Sequence, residues 1–91
     1  METIVKTESD VLLDSITQFD NELVLYNDDV NTFDHVIETL MRVCDHTPEQ
    51  AEQCSMIVHY NGKCTVKTGP LKKLKPQCLK LLDAGLSAKI E

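Results

Sequence analysis

Long apolar runs are missing from this 91-residue chain. No window approaches the ~18 apolar residues that a membrane span requires, and the first twenty residues hold no basic segment followed by an apolar stretch. A soluble, unsecreted, cytoplasmic protein is expected, with no membrane partner. Basic residues are also scarce: nine Lys and Arg stand against fifteen Asp and Glu. Residues 1–46 carry eleven acids and two bases, residues 47–91 four and seven. Phosphate backbones demand a basic surface, so the acidic half speaks against nucleic acid and for a cationic or amine-bearing partner; a merely solvated acidic face is the plain alternative. The four cysteines, Cys44, Cys54, Cys64 and Cys78, lack the spacing of a zinc site or a redox pair. Each falls at or beside an apolar position, so reduced, mostly buried thiols are expected. Repeats and low-complexity tracts are absent, and the length is too short for a multidomain enzyme. What is present is 42% apolar content, enough for a single core.

The opening residues, "METIVKTESDVLLDSITQFD", are polar and acidic with scattered Val11, Leu12, Leu13, Ile16 and Phe19. Residues 1–20 read as a flexible acidic arm able to form a short helix, and residues 21–91 as the domain. Leu23, Val24, Leu25 and Tyr26 favour a first strand, closed by the turn-formers Asn27, Asp28 and Asp29. Phe33, Val36, Ile37, Leu40, Met41 and Cys44 then recur at the spacing of one helix face, with Asn31 or Thr32 as its cap. Thr47, Pro48 and Gln50 form a second start signal, and Asn61-Gly62 a stop. "KCTVKT", residues 63–68, reads as a strand, and Leu86 to Ile90 as another. Between them Leu71, Leu74, Cys78, Leu81 and Leu82 keep helical spacing across Pro76. The preferred reading makes Pro70 to Leu74 a turn and starts the helix proper with Pro76 in its first turn; a kinked single helix is the other. The order β-α-α-β-α-β predicts an α+β fold, with a three-stranded antiparallel sheet packed against three helices.

Three readings compete for Asn27, Asp28 and Asp29: an ordinary turn and cap, a calcium loop, or a polar cradle for a cation. The calcium reading places Asn27, Asp29, Asn31 and Glu38 at oxygen-bearing positions of an EF-hand loop. Thr32 stands there where glycine is needed, and a strand precedes the loop where a helix is required, so no metal is expected. A catalytic pair of Cys64 and His59 lacks both enforced proximity and an orienting acid, so no enzyme and no cofactor are expected either. His59 falls in the last turn of the second helix, where a histidine suits the helix dipole without further role. His35 and His46 read as exposed helix and loop residues.

"LYNDD", the amphipathic helix after it and "VHYNGK" resemble the ClpS family, adaptors that recognise bulky N-terminal residues and hand their owners to a Clp-type AAA+ unfoldase and its peptidase. The resemblance covers residues 22–68 well and 69–91 weakly. It implies that Asn27, Asp28 and His59 receive a free α-amino group, which leaves Asp29 to cap the turn or support its neighbours. An ammonium carries three donors and a full charge, so removing it from water requires acceptors on most sides. The resemblance also implies an apolar pocket walled by Phe33, Val36, Ser55, Val58 and Leu86 with Asn31 at its rim. Periodicity alone would put Phe33, Val36 and Leu86 in the core, and a cavity between the helices is needed to read them otherwise. The implied partners are an unfoldase of ClpA or ClpC type and substrates with a free, bulky N-terminal residue.

Departures from the family are visible. Val30-Asn31-Thr32-Phe33 replaces an aromatic-Thr-Pro-Met stretch, Ser55 replaces a large apolar residue, and Lys72 and Gln77 occupy the family's docking positions on the last helix. By the same resemblance the acidic arm matches an extension that feeds the unfoldase. An interaction module without a pocket for N-terminal residues is the alternative function.

Overall fold

The computed structural model describes residues 21–91, so the expected arm, residues 1–20, lies outside the described residues. The elements run β1 (Asn21–Tyr26), α1 (Phe33–Cys44), α2 (Pro48–Asn61), β2 (Lys63–Gly69), α3 (Leu71–Asp83) and β3 (Ser87–Ile90). The sheet order is β2-β1-β3, with both pairings antiparallel, as the α+β reading requires. β1 is therefore central, which explains why Leu23, Val24 and Leu25 are all buried instead of alternating. Leu23 and Leu25 join Leu40, Ala51, Leu74 and Leu81 in one core between sheet and helices.

Local signals set most boundaries. Thr32, not Asn31, caps α1, its side chain accepting from the His35 N–H at 3.1 Å. Thr47 and Gln50 form a reciprocal capping box at the start of α2, with Pro48 in the first turn. Gly62, at φ 94°, takes the left-handed conformation that stops α2 and returns its N–H to the Val58 carbonyl.

The last helix corrects the sequence reading. α3 begins at Leu71 and runs through Pro76 to Asp83, instead of starting at Pro76. Only a continuous helix puts Leu74 and Leu81, two turns apart, on the same face, where they are 1% and 0% exposed. A proline inside a helix costs ~3 kcal/mol, and burying each leucine returns ~1.5–3 kcal/mol, so packing outweighs the broken hydrogen bond. Leu71 and Leu82, counted on the apolar face, instead lie largely exposed on its flank.

Two histidines read as exposed are half-buried and tied to carbonyls. His35 Nε2 donates to Ala84 O at 2.8 Å and joins α1 to the end of α3. His46 Nε2 donates to Val66 O at 2.8 Å. The register of β1 on β2 passes from Leu23↔Lys67 to Val24↔Thr65, which leaves Val66 as a bulge. His46 therefore satisfies a carbonyl that the bulge removes from the ladder. The cysteines are all free, but Cys44 alone is fully buried and the other three are partly so. Burial pushes the Cys44 thiol up to about 11; the nearby Lys67 lowers it and Asp45 raises it further. Burial first, then the adjacent Cys64 thiol, pushes Cys54 up to about 12.

Candidate functional site

A cavity of about 300 Å³ opens where the end of β1, the start of α1, the last turns of α2 and the α3–β3 turn meet. It lies between the start of α1 and the last turns of α2, the condition under which Phe33 and Val36 are more than core. Its apolar wall is Phe33 and Val36 from α1, Val58 from α2, and Leu86. Ser55 completes the wall; it is buried, and its hydroxyl donates to Ala51 O at 2.8 Å, so no free polar group points inward from it. Leu86 serves both roles, since it lines the cavity and belongs to the core.

The rim is polar. Asn27, Asp28, Asn31 and His59 all border the cavity, so the nine residues singled out in the sequence converge on one hollow. Their positions follow from local structure. β1 ends at Tyr26, and Asn27 still donates its backbone N–H to Gly62 O at 2.9 Å, which holds the strand end against the stop of α2. His59 lies one turn after Ser55 on α2 and so rises from wall to mouth. Its exposed ring meets Phe33 edge-on at 5.2 Å between centroids and Tyr60 at 4.9 Å. It makes no hydrogen bond to another described residue, unlike His35 and His46.

Asp28, not Asp29, caps the turn, which corrects one of the two roles expected for Asp29, capping the turn or supporting its neighbours. Asp28 Oδ1 accepts from the Val30 N–H at 3.0 Å and the Asn31 N–H at 3.1 Å. The Asn31 side-chain amide donates to both carboxylate oxygens at 3.0 Å, and the Ser87 hydroxyl to Oδ2 at 3.2 Å. Burial acts to raise the Asp28 pKa, but the N–H groups of Asn31 and Val30 and the side chains of Asn31 and Ser87 outweigh it, leaving it below the usual 3.8. A charged carboxylate is thus fixed at the rim. Asp29 is exposed beside it.

Asn31 is more than a rim residue. Its amide also donates to Gly85 O at 2.9 Å, bridging the turn before α1 to the turn before β3. Gly85, at φ 88°, holds that turn in a left-handed conformation one residue before Leu86. Asn31 and Ser87 thereby connect the polar rim to the segment that presents Leu86. Sequence reasoning missed Ser87, and also Tyr26 and Thr32 as cavity-lining residues. Ser87 bonds a residue 59 positions away, for which no local signal exists.

The rival readings meet specific obstacles. Helix α1 starts at Phe33, so Glu38 sits inside a helix and the twelve-residue loop from Asn27 does not form. Cys64 Sγ donates to its neighbour's carbonyl, Thr65 O, and lies outside the cavity lining. No helix among the described residues is long and apolar enough to cross a membrane.

Comparison with known proteins agrees on one family. The family model described as ATP-dependent Clp protease adaptor protein ClpS matches residues 17–89. The ATP-dependent Clp protease adapter protein ClpS of Campylobacter jejuni is 36% identical over 76 residues, covering 77% of this chain and 79% of that protein. Its counterpart from Thermosynechococcus vestitus is 36% identical over 67 residues, covering 72% and 71%. In structure the chain is similar to Agrobacterium tumefaciens ClpS2 bound to L-phenylalaninamide, with a TM-score of 0.75 at 19% identity, over 78% of this chain and 93% of that one.

Proposed function

Because the chain belongs to the ClpS family of ATP-dependent Clp protease adaptor proteins, we propose that it selects substrates by holding a free α-amino group at the cavity rim and the adjoining bulky side chain inside. An adaptor serves a protease and is not itself an enzyme. The observation that carries the reading is the pairing of an apolar hollow of about 300 Å³ with a rim bearing Asn27, Asp28 and His59. That volume stands at the lower end of the ~300–1,000 Å³ typical of small-ligand pockets, which fits one side chain better than a peptide. The Agrobacterium ClpS2 ligand, L-phenylalaninamide, unites a free amine with one aromatic side chain, the chemistry this cavity offers.

The roles divide by what each group has left to give. Both Asp28 oxygens already accept from the turn, so Asp28 contributes its fixed negative charge. Asn27 and His59 are exposed and supply the acceptors, an amide oxygen and a ring nitrogen lone pair. Charge-assisted hydrogen bonds of this kind contribute roughly 1.5–3 kcal/mol each. An acetylated terminus has neither the charge nor the donors and is refused. Ser55 widens the wall and Phe33 narrows the mouth, so the preferred residue depends on their balance. The receiving machine is an AAA+ unfoldase of ClpA or ClpC type.

Fluorescence anisotropy of short labelled peptides tests this. The peptides differ only in a first residue of Leu, Phe, Tyr, Trp, Met or Ser, each with a free or an acetylated amine. Tight binding confined to free, bulky termini is expected. Indifference to acetylation would overturn the reading and leave an interaction module without such a pocket.

A further inference from the structure

Phe33, Val36 and Val58 wall the cavity from helices, whereas Leu86 does so from the turn between α3 and β3. A helix fixes its side chains through its own backbone bonds; a turn must borrow bonds from its surroundings. Two of them come from α3: the Gly85 and Leu86 N–H groups donate to Leu82 O at 2.9 Å and Leu81 O at 3.0 Å. Two more come from the rim. Asn31 donates its side-chain amide to Gly85 O at 2.9 Å, just before Leu86, and Ser87 donates its hydroxyl to Asp28 Oδ2 at 3.2 Å, just after it. Both lead to one turn, because the Asn31 amide also donates to the Asp28 carboxylate at 3.0 Å.

Of the two rim bonds, that of Asn31 decides the place of Leu86. Ser87 is held independently, since it pairs with Tyr26 in the sheet. Gly85 lies outside any strand, and a Cβ there would meet only Asn31 Oδ1, at 3.9 Å, an ordinary contact. Space around Gly85 is therefore open, and hydrogen bonds, not packing, hold it. Residue type matters at position 31 as well. One amide nitrogen carries two hydrogens, enough for the Asp28 carboxylate and Gly85 O together, whereas a hydroxyl carries one. Asn31 is half-buried between them, and Leu86 is 4% exposed.

We propose that Asn31 is a positioning residue: by tying Gly85 to Asp28 it sets how far Leu86 reaches into the cavity, and with it which terminal side chain is preferred. This rests on the reading of the cavity as a pocket for that side chain. The charge at the rim and the wall beneath it are joined through a single amide. Without that amide Leu86 yields, so large side chains gain on small ones. The demand for a free amine stays, because Asp28 keeps its charge, its two backbone donors and Ser87.

The test compares the parent with Asn31→Ser, which keeps one donor at the rim, by methyl NMR relaxation without ligand and by anisotropy of the Trp and Leu peptides, free and acetylated. Sheet amides report that the variant is folded. Expected are a lower methyl order at Leu86 but not at Val36, and a gain of Trp on Leu of about threefold or more, the effect of one modest hydrogen bond, with acetylated peptides still refused. A residue that merely held the fold would weaken both free peptides by the same factor. That result, or an unchanged Leu86, overturns the proposal even where the parent selects free amines. A parent indifferent to acetylation overturns the reading of the cavity instead, and the Leu86 methyls still decide whether Asn31 sets the wall.

Discussion

The two ends of α1 are built from similar polar residues and are put to different use. Before the helix stand Asp28, Asn31 and Thr32; after it stand Asp45, His46 and Thr47, with Asp45 at φ 56° closing the helix. At the far end the polar groups are used by the protein itself: His46 is spent on the Val66 carbonyl and Thr47 on the N–H of Gln50. At the near end an equally bonded turn surrounds a hollow, and two further groups, Asn27 and His59, border it while exposed. A polar side chain consumed by its own protein is structural. One held at the mouth of an apolar cavity is available to a ligand. His46 and His59 isolate this difference, because residue type is held constant.

The largest expected effect breaks the comparison directly. His59→Ala should weaken a free-amine peptide tenfold or more, the loss of one charge-assisted hydrogen bond at ~1.5–3 kcal/mol, with the unfolding midpoint unchanged. Asn27→Ala should do the same. His46→Ala should reverse the pattern: stability falls by about 1–3 kcal/mol because the Val66 carbonyl is left unpaired, while the folded fraction binds as before. Denaturation and anisotropy on the same samples distinguish the two, and a His46 variant with lost affinity and intact stability would collapse the distinction.

How much of this is legible in the sequence depends on the range of each interaction. The caps at Thr32 and Thr47, the stop at Gly62 and the strand ending at Tyr26 are set within a few residues, and they can be read off the chain. The cavity wall is half local: Phe33 and Val36 share a helix face, as do Ser55, Val58 and His59, yet periodicity cannot tell a core residue from one that borders a hollow. Resemblance to a family made that selection. The contacts that tie the site together are long-range, His35 to Ala84, Asn31 to Gly85 and Ser87 to Asp28, at separations of 49, 54 and 59 residues. None leaves a local pattern. Pro76 shows the opposite failure, where a sound local rule loses to the burial of Leu74 and Leu81.

The next effect falls on the near end itself. Asp28→Ala removes the acceptor for two backbone N–H groups, the Asn31 amide and the Ser87 hydroxyl, in a part-exposed turn. A stability loss of about 1–2 kcal/mol is expected, comparable with deleting a helix cap. Affinity should fall as well, because the charge at the rim is lost and Asn31 loses the group that orients it toward Gly85. Ser87→Ala separates these causes. It leaves the charge in place and removes one donor, so binding should change less than twofold; a loss equal to that of Asp28→Ala would mean that position, not charge, is what Asp28 contributes.

The smallest effect is one of pH, and its sign is fixed by the turn. Asp28 has a pKa below 3.8 in the folded chain, because the donors of Asn31, Val30 and Ser87 favour its charged form by more than burial opposes it. The unfolded chain offers none of these donors, so near and below 3.8 it binds the proton more readily than the folded chain does. The stabilisation is therefore complete above the ordinary carboxylate range and is lost as pH falls through the depressed folded value. Urea unfolding of the parent and of Asp28→Asn should differ by a constant amount from neutral pH down to about pH 5, and the gap should close below about pH 4. A gap that persists at lower pH would show that Asp28 holds the turn as an acceptor and not through its charge, since the amide keeps the outline but sets an NH2 donor where one carboxyl oxygen accepts from Asn31 or Ser87. Charge would then not be what distinguishes the near end of α1 from the far one, and the hollow beside it would carry the difference.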